Sequence, residues 1–308
     1  MKNKIIIGSR GSELALWQAK FVRKSLSALF PEKLFEIKII KTTGDKILDT
    51  ALSKIGDKGL FTRQIENELL DGKIDFAVHS LKDLQTVQPA GLKIGAVTKR
   101  EIPNDVLISK QFASIDELPE NALVATGSLR RRCQLLARRK DLQIMEIRGN
   151  VPSRIGKFFD SDAAGLILAF AGVHRLGLDA HISQIIPLDQ MIPAVGQGAL
   201  AIEIRAEDAE MQTVIKKMND EETSVCVSAE RSFLRTLEGG CQVPIAGFAR
   251  LDGGKITLEG LVGSLDGQTI IRDSLAGNRA EDLGVKLAEK LIERGANELL
   301  EKNRNLKN

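Results

Sequence analysis

Over residues 1–204 short apolar runs alternate with amphipathic stretches, and nothing else in the chain limits its fold as tightly. Runs at 4–8, 35–41, 75–79, 92–98, 105–109, 123–126, 143–147, 165–169 and 199–204 predict strands. Between them, SELALWQAKFVRKSLSALF places Leu14, Trp17, Phe21 and Leu29 near one helical face, and SLRRRCQLLARRK and NVPSRIGKFF also read as helices. Strand–helix alternation of this kind predicts α/β domains with largely parallel sheets. The last third differs. DEETSVCVSAERSFLRTLEGG predicts a helix that starts on acidic residues and stops at glycine. Three strands follow near 244–251, 255–262 and 268–275, with Asp-Gly turns at 252–253 and 266–267, then a helix from about 280 to 300. That pattern is a small α+β domain. Residues 41–61, with Gly and Lys but weak periodicity, read as a mobile surface loop.

A chain of 308 residues exceeds one typical core and predicts two or three domains. With 43% hydrophobic and 28% charged residues the composition is that of a globular protein. Lys plus Arg number 44 against 41 Asp plus Glu, a net charge of +3, too small to indicate a nucleic-acid binder. One Trp, no Tyr and eleven Phe also argue against an aromatic platform for stacked bases. The N-terminus lacks signal-peptide features, and no apolar run is long enough to span a bilayer. Cys133, Cys226 and Cys241 are odd in number and far apart, so no disulfide framework is expected and the cytoplasm is the expected compartment. His79, His174 and His181 show no ligand spacing with the cysteines, so no metal site is expected.

Arg-bearing turns recur where strands are expected to pass into helices. They are IIIGSRGSELA with Arg10 and Ser12, VATGSLRRR with Thr126, Ser128, Arg130 and Arg131, and IRGNVPSR with Arg148, Asn150 and Arg154. Such turns leave free N–H groups at the positive end of a helix, where anions bind, and nearby guanidiniums grip carboxylates with paired hydrogen bonds. Taken singly each Arg reads as a solvated surface residue; as a set they point to a ligand with many negative groups. FAVHSLKDLQ adds Ser80, Lys82 and Asp83 after a strand ending at His79. Lys82 suits a carboxylate. Asp83 reads either as a helix cap or as an acid that stabilises a cation, and His79 as a satisfied core residue.

Two motifs are set aside. GQGALA (196–201) matches a dinucleotide fingerprint but precedes a strand instead of following one, so it reads as a hinge or ligand-contacting loop. RRRCQLLARRK reads as an ordinary amphipathic helix in which Cys133 is packed, although flanking arginines favour its thiolate. LEGGCQVPIAG (237–247) is different: Gly239, Gly240 and Pro244 frame a tight bend carrying Cys241, either a structural turn or a thiol being presented.

GSRGSELALWQ, GDKGLFTRQIE, DFAVHSLKD, TGSLRRRCQL, IRGNV, HRLGL, PAVGQGALAIE and AERSFLRTLEGGCQVPI occur along residues 8 to about 250. Together they resemble the hydroxymethylbilane synthase family, also called porphobilinogen deaminase. The resemblance implies two periplasmic-binding-protein-like α/β domains flanking a cleft plus a small C-terminal α+β domain: 1–98 with 199–217, 99–198, and 218–308. It implies a transferase of tetrapyrrole biosynthesis with porphobilinogen as substrate; no exposed apolar stripe or heptad suggests a protein partner, so a monomer is expected, and charge and hydropathy predict no nucleic-acid or membrane partner. Four porphobilinogen molecules would be joined with loss of ammonia on a dipyrromethane cofactor, attached through a thioether to Cys241. By motif position Asp83 would be the catalytic carboxylate. Lys82, Ser80, Thr126, Ser128, Arg130, Arg131, Arg148, Asn150 and Gln197 would bind cofactor. Arg10, Ser12, Arg148, Arg154, Lys54, Lys58 and Phe61 would bind substrate.

The sequence departs from the family pattern at Leu84-Gln85, where many members have Val-Pro, at Gly127 and Pro152-Ser153 in two of the anion turns, and at Phe170, expected to narrow the cleft. A cytosolic polyanion-binding or sensor protein on the same two-domain cleft is the competing reading; it would need neither Asp83 nor a free Cys241.

Overall fold

The computed structural model describes residues 2–42, 44, 59, 62–238 and 243–305. Along the chain it forms β1 (Lys4–Ser9), α1 (Glu13–Leu29), β2 (Leu34–Ile39), α2 (Arg63–Leu70), β3 (Phe76–Ser80) and β4 (Leu92–Val97). Next come β5 (Asp105–Ser109), β6 (Leu123–Ala125), α3 (Leu129–Arg138), β7 (Gln143–Met145), α4 (Val151–Phe159), β8 (Gly165–Ala169), α5 (Phe170–Arg175) and β9 (Ile182–Ile185). They are followed by β10 (Leu200–Arg205), α6 (Ala209–Ile215), α7 (Glu221–Thr236), β11 (Ile245–Asp252), β12 (Lys255–Gly263), β13 (Ile270–Gly277), α8 (Ala280–Glu293) and α9 (Ala296–Asn305). Among the described residues the chain divides into two compact bodies, 2–101 with 199–224, and 102–198 with 225–305.

The first body is built on a sheet ordered β2-β1-β3-β10-β4, in which β1 runs parallel to β2 and β3 while β10 runs antiparallel to β3 and β4. Both faces are covered, which is why its central strands read as apolar runs and not as in–out alternation. On one face Ile5, Ile7, Phe76, Val78, Ile202 and Ile204 pack against Ala19, Val22 and Leu26 of α1. On the other, Ala77 meets Ile65 and Leu69 of α2. Each fully buried Ile or Leu contributes about 1.5–3 kcal/mol.

The buried face of α1 is not the one expected. Residues 14, 17, 21 and 29 carry the larger side chains, yet Phe21 is 42% and Leu29 52% exposed, and Trp17 stacks on Phe21 with ring centroids 5.5 Å apart. The stripe Gln18, Ala19, Val22 and Leu26 meets the sheet instead. The small Ala19 lets the helix axis come close, so volume alone misidentified the core face.

The second body repeats the sheet plan. Its order is β7-β6-β8-β5-β9, with β6 parallel to β7 and β8 and with β5 antiparallel to β8 and β9. β9 was not expected, because it is a short edge strand with no fully buried residue and hence no apolar run. Phe170 is 7% exposed and lies in the core with Phe158 and Val173, so its bulk fills the interior of this body and does not narrow a cleft.

The remainder of this body is an antiparallel β11-β12-β13 meander covered by α7 and α8. The predicted 280–300 helix is two helices, because Gly295 adopts φ 91° and ends the first. Helices α7 and α8 touch nearly backbone to backbone at Gly284. A Cβ there would run into the Ala229 carbonyl and stand 2.7 Å from both the Phe233 nitrogen and Ser232 Cβ. Gly284→Ala is therefore expected to destabilise the protein by about 1–3 kcal/mol, read as a lower urea midpoint with unchanged slope. A midpoint equal to that of the parent would show that the helices separate without cost.

Among the described residues no helix is long and apolar enough to cross a membrane, and no cluster of three or more His, Cys, Asp or Glu side chains suits a metal ion.

Candidate active site

In the first body the carboxyl ends of parallel β1 and β3 bring together two of the turns singled out by sequence. Ligands gather at this end of open α/β sheets. Ser12 caps α1, its Oγ accepting from the Ala15 N–H at 3.4 Å. Gln18, 2% exposed on the buried face of α1, donates to Ser80 Oγ at 2.8 Å. A cavity of about 70 Å³ is lined by Arg10, Ser12, Gln18, His79, Ser80 and Asp83, among others. Asp83 ends a single 3-10 turn, Leu81–Asp83, and is exposed. Leu81, 1% exposed, and Leu84, 5% exposed, sink on either side of Lys82 and Asp83. The turn is thus pinned by apolar burial on both sides.

In the second body parallel β6 and β7 end beside each other. Thr126 donates its N–H to the Met145 carbonyl at 2.9 Å, and its Oγ1 accepts from the Ser128 N–H at 3.2 Å, closing the turn that starts α3. Gly127 belongs here for a steric reason: a Cβ would stand 2.8 Å from the Ile147 carbonyl of the neighbouring turn. In that neighbour Asn150 Oδ1 accepts from the Ser153 N–H at 2.9 Å and caps α4, with Pro152 inside the first turn, where no donor is missed. Arg154 Nε donates to the Gly149 carbonyl at 2.7 Å, and Arg148 Nε lies 3.3 Å from Glu146. Thr126, Ser128, Arg148, Asn150 and Arg154 therefore share one edge, with two helix N-termini. This donor set fits a group that carries several carboxylates.

Arg130, Arg131 and Gln197, which motif position assigns to the cofactor, converge on one buried carboxylate. They are 5%, 5% and 1% exposed. Arg130 Nη1 donates to Asp105 Oδ2 and to the Ile192 carbonyl, both at 2.7 Å. Arg131 donates to Asp105 Oδ1 from Nε at 3.1 Å and Nη2 at 2.9 Å, and to the Ile167 carbonyl from Nη1 at 3.0 Å. Gln197 Nε2 reaches the Pro103 carbonyl at 2.6 Å and Asp105 Oδ1 at 2.9 Å. Burial alone would raise the Asp105 carboxyl, but the two guanidiniums outweigh it and hold the group well below the usual carboxylate range. The network fastens α3 to β5 and β8 and sets where the Thr126–Ser128 turn points.

Cys133 is fully buried, and that burial pushes its thiol up to about 12 against the opposing pull of Arg130. The flanking arginines do not activate it. Cys226 lies in the core with Phe233. Cys241, Lys54, Lys58 and Phe61 lie outside the described residues. The segment carrying Cys241 is flanked by Glu238, in the left-handed region at φ 49°, and by the buried Val243.

Sequence reasoning missed Gln18, Asp105, Glu66 and Glu203. A glutamine on the apolar stripe of α1 was a readable signal for Gln18. A glutamate inside the apolar run ALAIEIR was the corresponding signal for Glu203. His79 is core as expected, 6% exposed with Nε2 3.2 Å from Glu203 Oε2, yet it also lines the cavity.

The chain is similar to known proteins along nearly its whole length. Residues 5–213 match the family model "porphobilinogen deaminase, dipyromethane cofactor binding domain", and residues 224–293 match "porphobilinogen deaminase, C-terminal domain". The porphobilinogen deaminase of Chloroherpeton thalassium is 51% identical over 306 residues, covering 97% of this chain and 98% of that one. That of Carboxydothermus hydrogenoformans is 48% identical over 303 residues, covering 98% and 97%. Among solved structures, the methionine binding protein MetQ is similar at 14% identity and a TM-score of 0.44, over 72% of this chain and 92% of that one. With both family domains present in order and about half of all residues shared with full-length relatives, the chain belongs to the porphobilinogen deaminase family of enzymes.

Proposed function

We propose that this chain is a hydroxymethylbilane synthase, condensing four porphobilinogen molecules head to tail with loss of ammonia and then releasing the linear tetrapyrrole. The observation that carries the reading is that Asp83 and Arg10 line one cavity, with Asp83 held on a turn pinned by Leu81 and Leu84. A carboxylate fixed there stabilises the cation left on the substrate methylene as ammonia departs. Arg10, Ser12 and Arg154, with Lys54, Lys58 and Phe61, are assigned to the substrate carboxylates. Ser80, Lys82, Thr126, Ser128, Arg148 and Asn150 would hold the dipyrromethane, with Arg148 shared between the two. Arg130, Arg131 and Gln197 are assigned to that set as well, and through Asp105 they fix the Thr126–Ser128 turn. When bound, the dipyrromethane supplies an anchored pyrrole end that the incoming unit extends. Its attachment is assigned to Cys241, whose sulfur is the nucleophile best suited to a bond that survives turnover. The three-domain division, 1–98 with 199–217, 99–198 and 218–308, a monomeric state and a cytoplasmic location complete the reading.

Intact mass of the purified chain beside Cys241→Ser tests it. The parent is expected to carry the added mass of one dipyrromethane, absent from the variant, and to gain single-pyrrole steps with porphobilinogen. A parent that gains no pyrrole, and instead binds porphobilinogen reversibly, would replace the synthase with an anion-binding protein.

A further inference from the structure

At the start of α2, Thr62 forms part of the cavity wall but belongs to neither the substrate set nor the cofactor set. It stands at the N-cap position of α2, is 2% exposed, and lines the cavity with Arg10, Ser12, Ser80 and Asp83. A threonine in that position ordinarily accepts from an N–H of the first helical turn. Here, at φ −120° and ψ −33°, it makes no such bond. Its Oγ1 is buried with no hydrogen-bond partner among the described residues. The preceding turn fixes where the hydroxyl sits. Thr62 and Arg63 both donate their N–H groups to the Gly59 carbonyl, at 3.1 and 2.9 Å. Gly59 adopts φ 92°, and a Cβ there would stand 3.0 Å from Gln85 Nε2 and 3.5 Å from Thr62 Oγ1. Glycine thus lets the start of α2 close against the chain that leaves the Asp83 turn. Glu66, one helical turn further on, is the internal candidate for the hydroxyl. Its own Oε1 is also buried and unpartnered, so the two do not satisfy each other. Burial raises the Glu66 carboxyl, and the nearby Thr62 hydroxyl opposes that only in part. A carboxyl shifted towards neutrality repels a neighbouring anion less.

The rest of the wall says what kind of group would satisfy the hydroxyl. Ser12 Oγ already accepts from the Ala15 N–H, and Ser80 Oγ from Gln18 Nε2, so both hydroxyls keep their protons to donate. Arg10 adds a guanidinium, and Asp83 is the one carboxylate among the described lining residues. Two helices, α1 of 17 residues and α2 of 8, begin at this wall with their positive ends. Such a donor set calls for an anion. A buried hydroxyl left without a partner is costly in a packed wall, and that cost is removed when a ligand oxygen accepts from it. We propose that Thr62 is a substrate-binding residue whose hydroxyl donates to a carboxylate of the incoming pyrrole that Arg10 also grips, which makes the start of α2 a carboxylate subsite of the Asp83 cavity. This rests on the synthase reading. The carboxylate is far from the bond that breaks in chemical terms: it carries the same charge before and during the loss of ammonia. Thr62 therefore contributes equally to the ground and transition states and acts on KM, whereas Asp83 acts on kcat.

Thr62→Val replaces the hydroxyl by a methyl of the same shape, and Thr62→Ser keeps the hydroxyl. In the holoenzyme Thr62→Val is expected to raise KM for porphobilinogen about 10-fold, the loss of one hydrogen bond to a charged group, with kcat within about twofold of the parent. Thr62→Ser should bring KM back to within about threefold of the parent. Because no cap bond is lost, Thr62→Val should unfold at a urea midpoint no lower than that of the parent. A threonine that served only the helix would give the opposite pattern, a lower midpoint with KM unmoved. An active parent whose KM is unchanged in Thr62→Val, or is raised there and not restored by Thr62→Ser, would overturn the subsite alone. So would a Thr62→Val midpoint well below that of the parent. A parent that adds no pyrrole units would overturn the synthase reading and the subsite with it.

Discussion

Asp105→Ala is expected to cost about 3–5 kcal/mol of stability, a fall of about 10 °C in the melting temperature for a chain of this size. Asp105 is 0% exposed and meets Arg130, Arg131 and Gln197 at once. Truncation leaves two guanidiniums inside the second body with no counter-charge, which is far more costly than losing an exposed ion pair. The sign with pH follows from the lowered Asp105 carboxyl. Its contribution is fully present above the unfolded carboxylate value of about 3.9 and is lost as pH falls through the lower folded value. Asp105→Asn keeps the shape without the charge, so it should lose less than Ala at neutral pH. Its deficit relative to the parent should shrink in acid. Thermal melts at neutral and acid pH measure both. A neutral-pH melt of Asp105→Ala within a degree or two of the parent would mean that the network is not what fastens α3.

How much of this was legible in the sequence depended on whether the signal was local. Central strands were read almost to the residue, because β1, β3, β8 and β10 are buried on both faces and appear as predominantly apolar runs. The Asp-Gly turns placed the C-terminal meander equally well. Errors arose where the deciding contact lay far along the chain. Residues 14, 17, 21 and 29 share a face by periodicity, but only the sheet decides that the smaller stripe goes inward. The contact of Arg130 and Arg131 with Asp105, 25 and 26 positions earlier, was likewise unreadable, because no local motif announces it. Arg148 and Arg154 also make contacts close in sequence, with Glu146 and the Gly149 carbonyl. The family likeness named Asp83, yet only the fold showed that Leu81 and Leu84 hold its turn and that His79 opens onto the same cavity.

Asp83→Asn is the sharpest test of the site, with an expected loss in kcat of about 10²–10³. The substitution removes a charge and changes almost nothing else. Asp83 is exposed at the end of its turn, so stability should move by no more than about 0.5 kcal/mol. Leu81 and Leu84 remain buried and keep the loop in place. An amide can still accept a hydrogen bond from a pyrrole N–H, so binding should weaken little. It cannot oppose the positive charge that develops as ammonia leaves, and that interaction exists mainly in the transition state, so the loss should fall on kcat and not on KM. Asp83→Glu restores the charge one methylene away and should recover part of the rate if charge is what matters, or none if the exact distance decides. Single-turnover mass spectra, counting pyrrole steps against time, separate slow chemistry from slow release. Parent-like steps in Asp83→Asn would remove Asp83 from the chemistry and leave its turn with a structural role.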